Sequence, residues 1–225
     1  LEFLEIDHFI IEAFPDINTP HRHLKKLVLN YNKLKALPAG IANLTVLETL
    51  QSSNPLMALP GSFATLKNMK ELGLYNTEFT TFPAVLFALN KLSLLYISGP
   101  IKGNTKIKEL PDSFQELPQL TELGISNAAL SMLPASIGQL KQLNKADFSN
   151  NLFTEFPSAL EKSMHLEFVS FSSNPLKWSD FLASVKKIKW HGLFFLHETG
   201  LNKQQYETVQ QILNKTDVYY DGMND

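Results

Sequence analysis

The densest histidine cluster in the chain is His21-Arg22-His23. In an extended segment its two imidazoles leave the same side, because side chains alternate across a strand, and together they could hold an ion. The simpler reading is a solvated turn ahead of Leu24. Glu122 and Asp147 fall on neighbouring strand-like segments and could form an acid pair, yet with 22 acidic side chains in the chain a plain polar surface accounts for them. The ten glycines are scattered and none precedes Lys-Ser or Lys-Thr, so the sequence encodes no phosphate loop. His-Glu-x-x-His, Gly-x-Ser-x-Gly and calcium-loop patterns are absent from the sequence too. With no cysteine, disulfides, thiol catalysis and cysteine-ligated metals are excluded. No candidate nucleophile has an identifiable base. The chain therefore reads as non-enzymatic, with no cofactor and no metal.

Charge narrows the partner classes. A formal net charge of −2 over 225 residues argues against a dedicated nucleic-acid binder. Lysines and aromatics do mix between Lys177 and Trp190. The plainer account puts Phe181, Val185 and Trp190 in a core and the lysines on a solvated helix. No apolar run is long enough to span a bilayer, and no signal-peptide pattern opens the chain. It begins at Leu1 without a methionine, which suggests a processed or excised product.

These side chains are held in place by a repeat. Leu24, Leu47, Met69, Leu92, Leu120, Leu143 and Leu166 recur at steps of 23, 22, 23, 28, 23 and 23 residues. The unit is clearest as Leu24-x-x-Leu27-x-Leu29-x-x-Asn32-x-Leu34-x-x-Leu37-Pro38-x-x-Ile41-x-x-Leu44. Seven of the 12 prolines share one place in it: Pro15, Pro38, Pro60, Pro83, Pro111, Pro134 and Pro157. Leu27 and Leu29, two residues apart, point to one face of a short strand. Asn32 then turns the chain inward, where its amide can satisfy backbone groups of neighbouring coils. Asn54, Asn151 and Asn174 are further rungs, whereas Phe9, Thr77, Thr105 and Ala128 break the ladder. Proline presets φ and removes a donor, which suits an irregular or 3₁₀-like return. Ile41, Phe63, Leu86, Phe114, Ile137 and Leu160 then point back to the core. One coil cannot bury its own apolar face, so coils must stack and the sheet must be parallel.

This pattern resembles the leucine-rich repeat family, in its 23-residue form with a Leu-Pro-x-x-Ile/Leu/Phe-x-x-Leu second half, over nearly the whole chain. The resemblance implies an α/β fold: a right-handed superhelical solenoid with a curved parallel sheet on its concave face. It also implies an irregular, 3₁₀ or short helical convex side and a C-terminal helical cap. As function it implies protein–protein interaction, and it offers no residue transferable as catalytic. Similar repeats also occur fused to GTPase, kinase or ubiquitin-ligase domains and in bacterial effectors. The alternative is therefore the recognition part of a larger multidomain enzyme or effector.

One domain is expected over residues 1–225: an irregular first repeat at 1–23, regular repeats over 24–189 and a capping unit at 190–225. The unit containing Leu50-Gln51-Ser52-Ser53-Asn54 lacks one residue, and five extra residues near 99–105 make a protruding loop. Ser179 to Lys186 and Lys203 to Leu213 show helical spacing, the first opening on Ser179 as capping residue and the second with Asn202 as cap. Trp190-x-x-Leu193-x-Phe195 and Val218-Tyr219-Tyr220 read as strands. Leu1, Leu4 and Ile6 would face an open edge, which allows a monomer or a weak homo-oligomer. The Phe-, Lys- and Asn-rich, cysteine-free composition leans towards a secreted or surface-exposed bacterial protein, with the compartment left open.

The expected binding site is the outward face of the strands: Lys26, Tyr31, Glu71, Tyr75, Asn76, Tyr96, Glu122, Lys145, Asp147 and Phe168. Tyr31, Tyr75 and Tyr96 are expected to share a face that Phe168 and Phe194 extend, with Leu94 among them. Aromatics in a polar surround are the usual composition of a protein-recognition patch. The expected partner is a protein, with no nucleic acid and no membrane insertion.

Overall fold

Each Leu-x-x-Leu-x-Leu run of the sequence makes a short strand whose leucines turn inward and whose intervening side chains turn out. A computed structural model describes residues 1–102, 106–161 and 163–221. Its strands are β1 (Phe3–Glu5), β2 (Lys26–Val28), β3 (Thr49–Ser53), β4 (Glu71–Tyr75), β5 (Leu94–Ser98), β6 (Glu122–Ser126), β7 (Lys145–Asp147), β8 (Phe168–Ser170), β9 (Leu193–Phe195) and β10 (Asp217–Tyr219). They form one 10-stranded sheet in chain order, and every neighbouring pair is parallel. Leu27, Leu50, Leu72, Leu95, Leu123, Ala146 and Val169 stand in register and are fully buried. This is the leucine-rich repeat solenoid that the repeat implied.

The return path is built on proline. Pro38, Pro60, Pro83, Pro134 and Pro157 sit just before 3₁₀ turns at Ala39–Asn43, Gly61–Thr65, Ala84–Ala88, Ala135–Gln139 and Ser158–Leu160. Each proline carbonyl accepts the N–H three residues on, as Pro60 does from Phe63 at 2.9 Å. Ile41, Phe63, Leu86, Phe114, Ile137 and Leu160 are fully buried behind the sheet.

The asparagine rungs are buried and bonded between coils. Asn151 donates to the carbonyls of Ile125 (2.8 Å) and Phe148 (3.0 Å) and accepts from the N–H of Leu130 (3.1 Å). Asn174 repeats this one coil on, with Phe148, Phe171 and Phe153 as partners. Where asparagine is missing, Thr77 donates to the Ser98 carbonyl at 3.2 Å and Ala128 makes no side-chain bond of its own. Phe9 is 70% exposed, and Thr105 lies outside the described residues. Thr199 proves to be a further rung, 2% exposed and donating to the Leu196 carbonyl at 3.0 Å.

The residue before the rung is left-handed in His8, Tyr31, Asn76, Asn127, Asn150, Ser173 and Glu198, with φ from 49° to 63°. The missing residue of the β3 coil is this one, because Ser53 runs straight into Asn54. Of the loop near 99–105, residues 103–105 lie outside the described residues. Ile101 before them is 82% exposed, and Ile107 and Leu110 after them are back in the core.

The C-terminal end follows the sequence with two corrections. Helix α1 spans Trp178–Val185 with Lys177 before it, so Ser179 lies inside the helix rather than capping it. In β9 the inward residues are Phe194 and Leu196, both 0% exposed, so Phe194 is not on the outer face. Val169 pairs with Phe194, one place later than the Trp190-x-x-Leu193 spacing implied. The extra residue falls between Trp190 and Phe194, a stretch that includes Gly192, where an added Cβ would lie 2.3 Å from the Glu167 carbonyl oxygen. A slip of one residue swaps the two faces of a strand. Helix α2 (Lys203–Ile212) opens on a capping box between Asn202 and Gln205, with bonds of 3.0 and 2.9 Å. Its Tyr206 and Val209 cover the last coil. Among the described residues no helix is long and apolar enough to cross a membrane.

Candidate functional site

The outward side chains form rows across the sheet, because strands in register lie about 4.8 Å apart. One row reads Glu71, Leu94, Glu122, Lys145, Phe168; the next reads Gly73, Tyr96, Gly124, Asp147. The two glycines act as seats. A Cβ built on Gly124 would lie 2.2 Å from Cδ1 of Tyr96, so the Tyr96 ring lies against that strand. A Cβ on Gly73 would lie 2.8 Å from Cε2 and 2.9 Å from the hydroxyl of Tyr75, so that ring folds back over its own strand. Glycine inside a strand marks such a close approach.

A polar cluster joins the two rows. The Tyr96 hydroxyl donates to Glu122 Oε2 at 2.9 Å, and Lys145 Nζ lies 3.4 Å from the same oxygen. Lys145 Nζ also stands 5.7 Å from the Tyr96 ring centre and 5.3 Å from that of Phe168, within cation–π range. Burial, and after it the Glu122 carboxylate, push the Tyr96 phenol above its ordinary range. Burial pushes Tyr75 the same way. Both rings are neutral hydrogen-bonding groups at neutral pH. Asp147 is turned to its own coil, accepting from the N–H and hydroxyl of Ser149 at 3.0 and 2.6 Å. Glu122 and Asp147 therefore have separate partners, and no shared-proton pair forms between them.

The structure brings seven of the ten expected residues into one patch over β4 to β8: Glu71, Tyr75, Tyr96, Glu122, Lys145, Asp147 and Phe168. Lys26 stands apart on β2, its Nζ 5.5 Å from the Phe3 ring centre. Tyr31 is a correction. It sits in the left-handed turn past β2, 61% exposed, stacked on His8 at 4.4 Å, and so lies on the rim rather than beside Tyr75 and Tyr96. Asn76 occupies the same turn position after β4. The aromatic row continues from Phe168 to Phe195 at 4.8 Å and on to Tyr219 at 4.7 Å, so Phe195 takes the place expected of Phe194. Sequence reasoning missed Phe195 because of the one-residue slip between Trp190 and Phe194, and it read Tyr219 into a strand without assigning its face. It also missed the glycine seats, although Gly73 and Gly124 stood out as the small residues of their rows. His21 and His23 are exposed and line a hollow with Leu1, Leu4, Phe14 and Leu24 at the first coils.

Comparison with known proteins agrees with this architecture. No family model matches the sequence. Human vasorin is 32% identical over 121 residues, which is 52% of this chain and 17% of vasorin. Mouse vasorin is 32% identical over 117 residues, 49% of this chain and 17% of that protein. The chain thus spans about a sixth of the length of these relatives. Among solved structures, internalin C2 of Listeria monocytogenes superposes with a TM-score of 0.65 at 24% identity, covering 78% of this chain and 73% of that one. The leucine-rich repeat domain of the type III effector XCV3220 (XopL) gives 0.64 at 19% identity, covering 80% and 62%. Motif, sheet and likenesses together define a leucine-rich repeat solenoid.

Proposed function

We propose that this chain binds a protein partner on the concave wall of its sheet, centred on the patch from β4 to β8. The observation that carries this reading is the seating of Tyr75 and Tyr96 on glycines, with Glu71, Glu122, Lys145 and Phe168 around them. Half-buried aromatic rings in a rim of charge are the side chains that dominate binding energy when a partner covers them. A parallel sheet this regular holds them rigidly, so little ordering cost falls on the free protein. The domain is read as one unit in which residues 190–221 cap the stack, the rest of the expected 190–225 unit lying outside the described residues. Catalysis is not part of the proposal.

The test is paired affinity capture from the source organism. The wild-type chain is expected to retain a partner that the Tyr75→Ala, Tyr96→Ala double variant fails to retain, with circular dichroism unchanged. Equal capture by both would remove the concave wall as the binding surface.

A further inference from the structure

The wall contains two tyrosine–glycine–glutamate sets, and only one of them holds a cation among the described residues. In the first, Tyr96 lies against Gly124, Glu122 stands two residues earlier on the same strand, and Lys145 on the next strand reaches both the carboxylate and the ring. In the second, Tyr75 lies over Gly73 and Glu71 stands two residues earlier. The sets differ in that Tyr96 comes from the neighbouring strand and Tyr75 from the same one. In the register, the place beside Glu71 corresponding to Lys145 beside Glu122 belongs to Leu94. Glu71 is exposed and accepts only the Thr49 hydroxyl, at 3.3 Å, among the described residues. Tyr75 is 38% exposed.

We propose that the Glu71–Gly73–Tyr75 site takes a lysine or arginine side chain of the partner. This rests on the reading of the concave wall as the binding surface and names the chemistry that the surface selects. The chain's own Lys145 shows the arrangement: a cation attracted to a ring face and held by a carboxylate beside it. Leu94 would carry the methylene stem, as apolar surface carries the stems of long basic side chains. Gly73 keeps the seat open, because any side chain there would displace the ring.

The experiment titrates isotope-labelled protein with three acetylated, amidated tripeptides, Gly-Arg-Gly, Gly-Lys-Gly and Gly-Glu-Gly, and follows backbone amide signals. The arginine and lysine peptides are expected to move the signals of residues 71–76 saturably, and the glutamate peptide to leave them in place. Leu94→Lys supplies an internal ammonium at the site and is expected to weaken the basic peptides about tenfold or more. Lys145→Ala vacates the filled set and is expected to add a second group of moving signals around Glu122 and Gly124. Signals that do not move, that move equally with the glutamate peptide, or that move undiminished in Leu94→Lys overturn the proposal. Partner capture separates the two readings. Capture lost in the double tyrosine variant but untouched by Glu71→Gln sinks the cation site alone, whereas capture lost in neither sinks both.

Discussion

Tyr96 ties three properties of the wall together at the level of single atoms. Its ring leans on Gly124, its hydroxyl donates to Glu122, and its face lies near Lys145. Its raised pKa has a consequence for stability. The unfolded phenol ionises near the ordinary tyrosine value of about 10, while the folded one holds its proton to higher pH. The unfolded state therefore loses protons first as pH rises. The stability contributed by the protonated ring is fully present below pH 10 and is lost progressively above it. Tyr96→Phe is expected to lose less stability than wild type between neutral pH and pH 11, as read by urea unfolding. Equal losses would mean that the phenol does not differ between the two states. A second residue-scale expectation concerns Asn151, which bonds the Ile125 carbonyl and the Leu130 N–H of the preceding coil and the Phe148 carbonyl of its own. Asn151→Ala takes this partner from the buried Ile125 carbonyl and Leu130 N–H, while the Phe148 carbonyl keeps Asn174, and should cost about 1–3 kcal/mol in thermal or urea unfolding. The rung asparagines were legible in the sequence because a buried turn needs a side chain with both donor and acceptor. Thr199 was not, because a threonine there is one hydroxyl among many until its carbonyl partner is known.

Elements were legible where the repeat kept its phase. The register of β2 to β8 follows from leucine spacing alone, and the proline position marked five of the return turns. Phase failed once, between Trp190 and Phe194, where one extra residue changed which aromatics face out. No propensity distinguishes Phe194 from Phe195. Only pairing with Val169 does, and that is a property of the neighbouring coil. Gly192 lies in that stretch with no room for a side chain, so the two substitutions Gly192→Ala and Gly61→Ala should behave differently. At Gly192 the new methyl would meet the backbone of Glu167 at 2.3 Å, and about 1–3 kcal/mol of destabilisation is expected, with altered amide signals along β9. At Gly61 nothing lies within 4 Å, and the change should be neutral or stabilising by up to about 1 kcal/mol. Unfolding midpoints of the two variants check this. Equal destabilisation would mean that the coil at β9 can relax around the methyl.

At the scale of the whole molecule the stack is nearly one-dimensional, and each coil leans chiefly on its neighbours. The repeat carried this architecture into the sequence, and it left the distribution of core side chains less plain. Leucine fills the first coils, whereas the last ones are packed with rings: Phe148, Phe156, Phe171, Trp190 and Phe194 lie 5.4–6.4 Å from their aromatic neighbours in this cluster. Helix α2 closes that cluster from solvent through Tyr206 and Val209, and Tyr206 donates to the Leu196 carbonyl at 2.9 Å. Val209→Asp would place a carboxylate at a fully buried position, and such a group is costly unless paired. Because contacts run from coil to coil, the cap should open before the centre does. Hydrogen exchange of this variant is expected to show protection lost in α2, β9 and β10, falling off through β8, and retained from β3 to β6. The proposed binding patch lies over β4 to β8, so its β4–β6 part should still bind the basic tripeptides with the cap open. Protection lost uniformly from β2 to β10 would show instead that the solenoid unfolds as one cooperative body, with the cap and the binding wall inseparable.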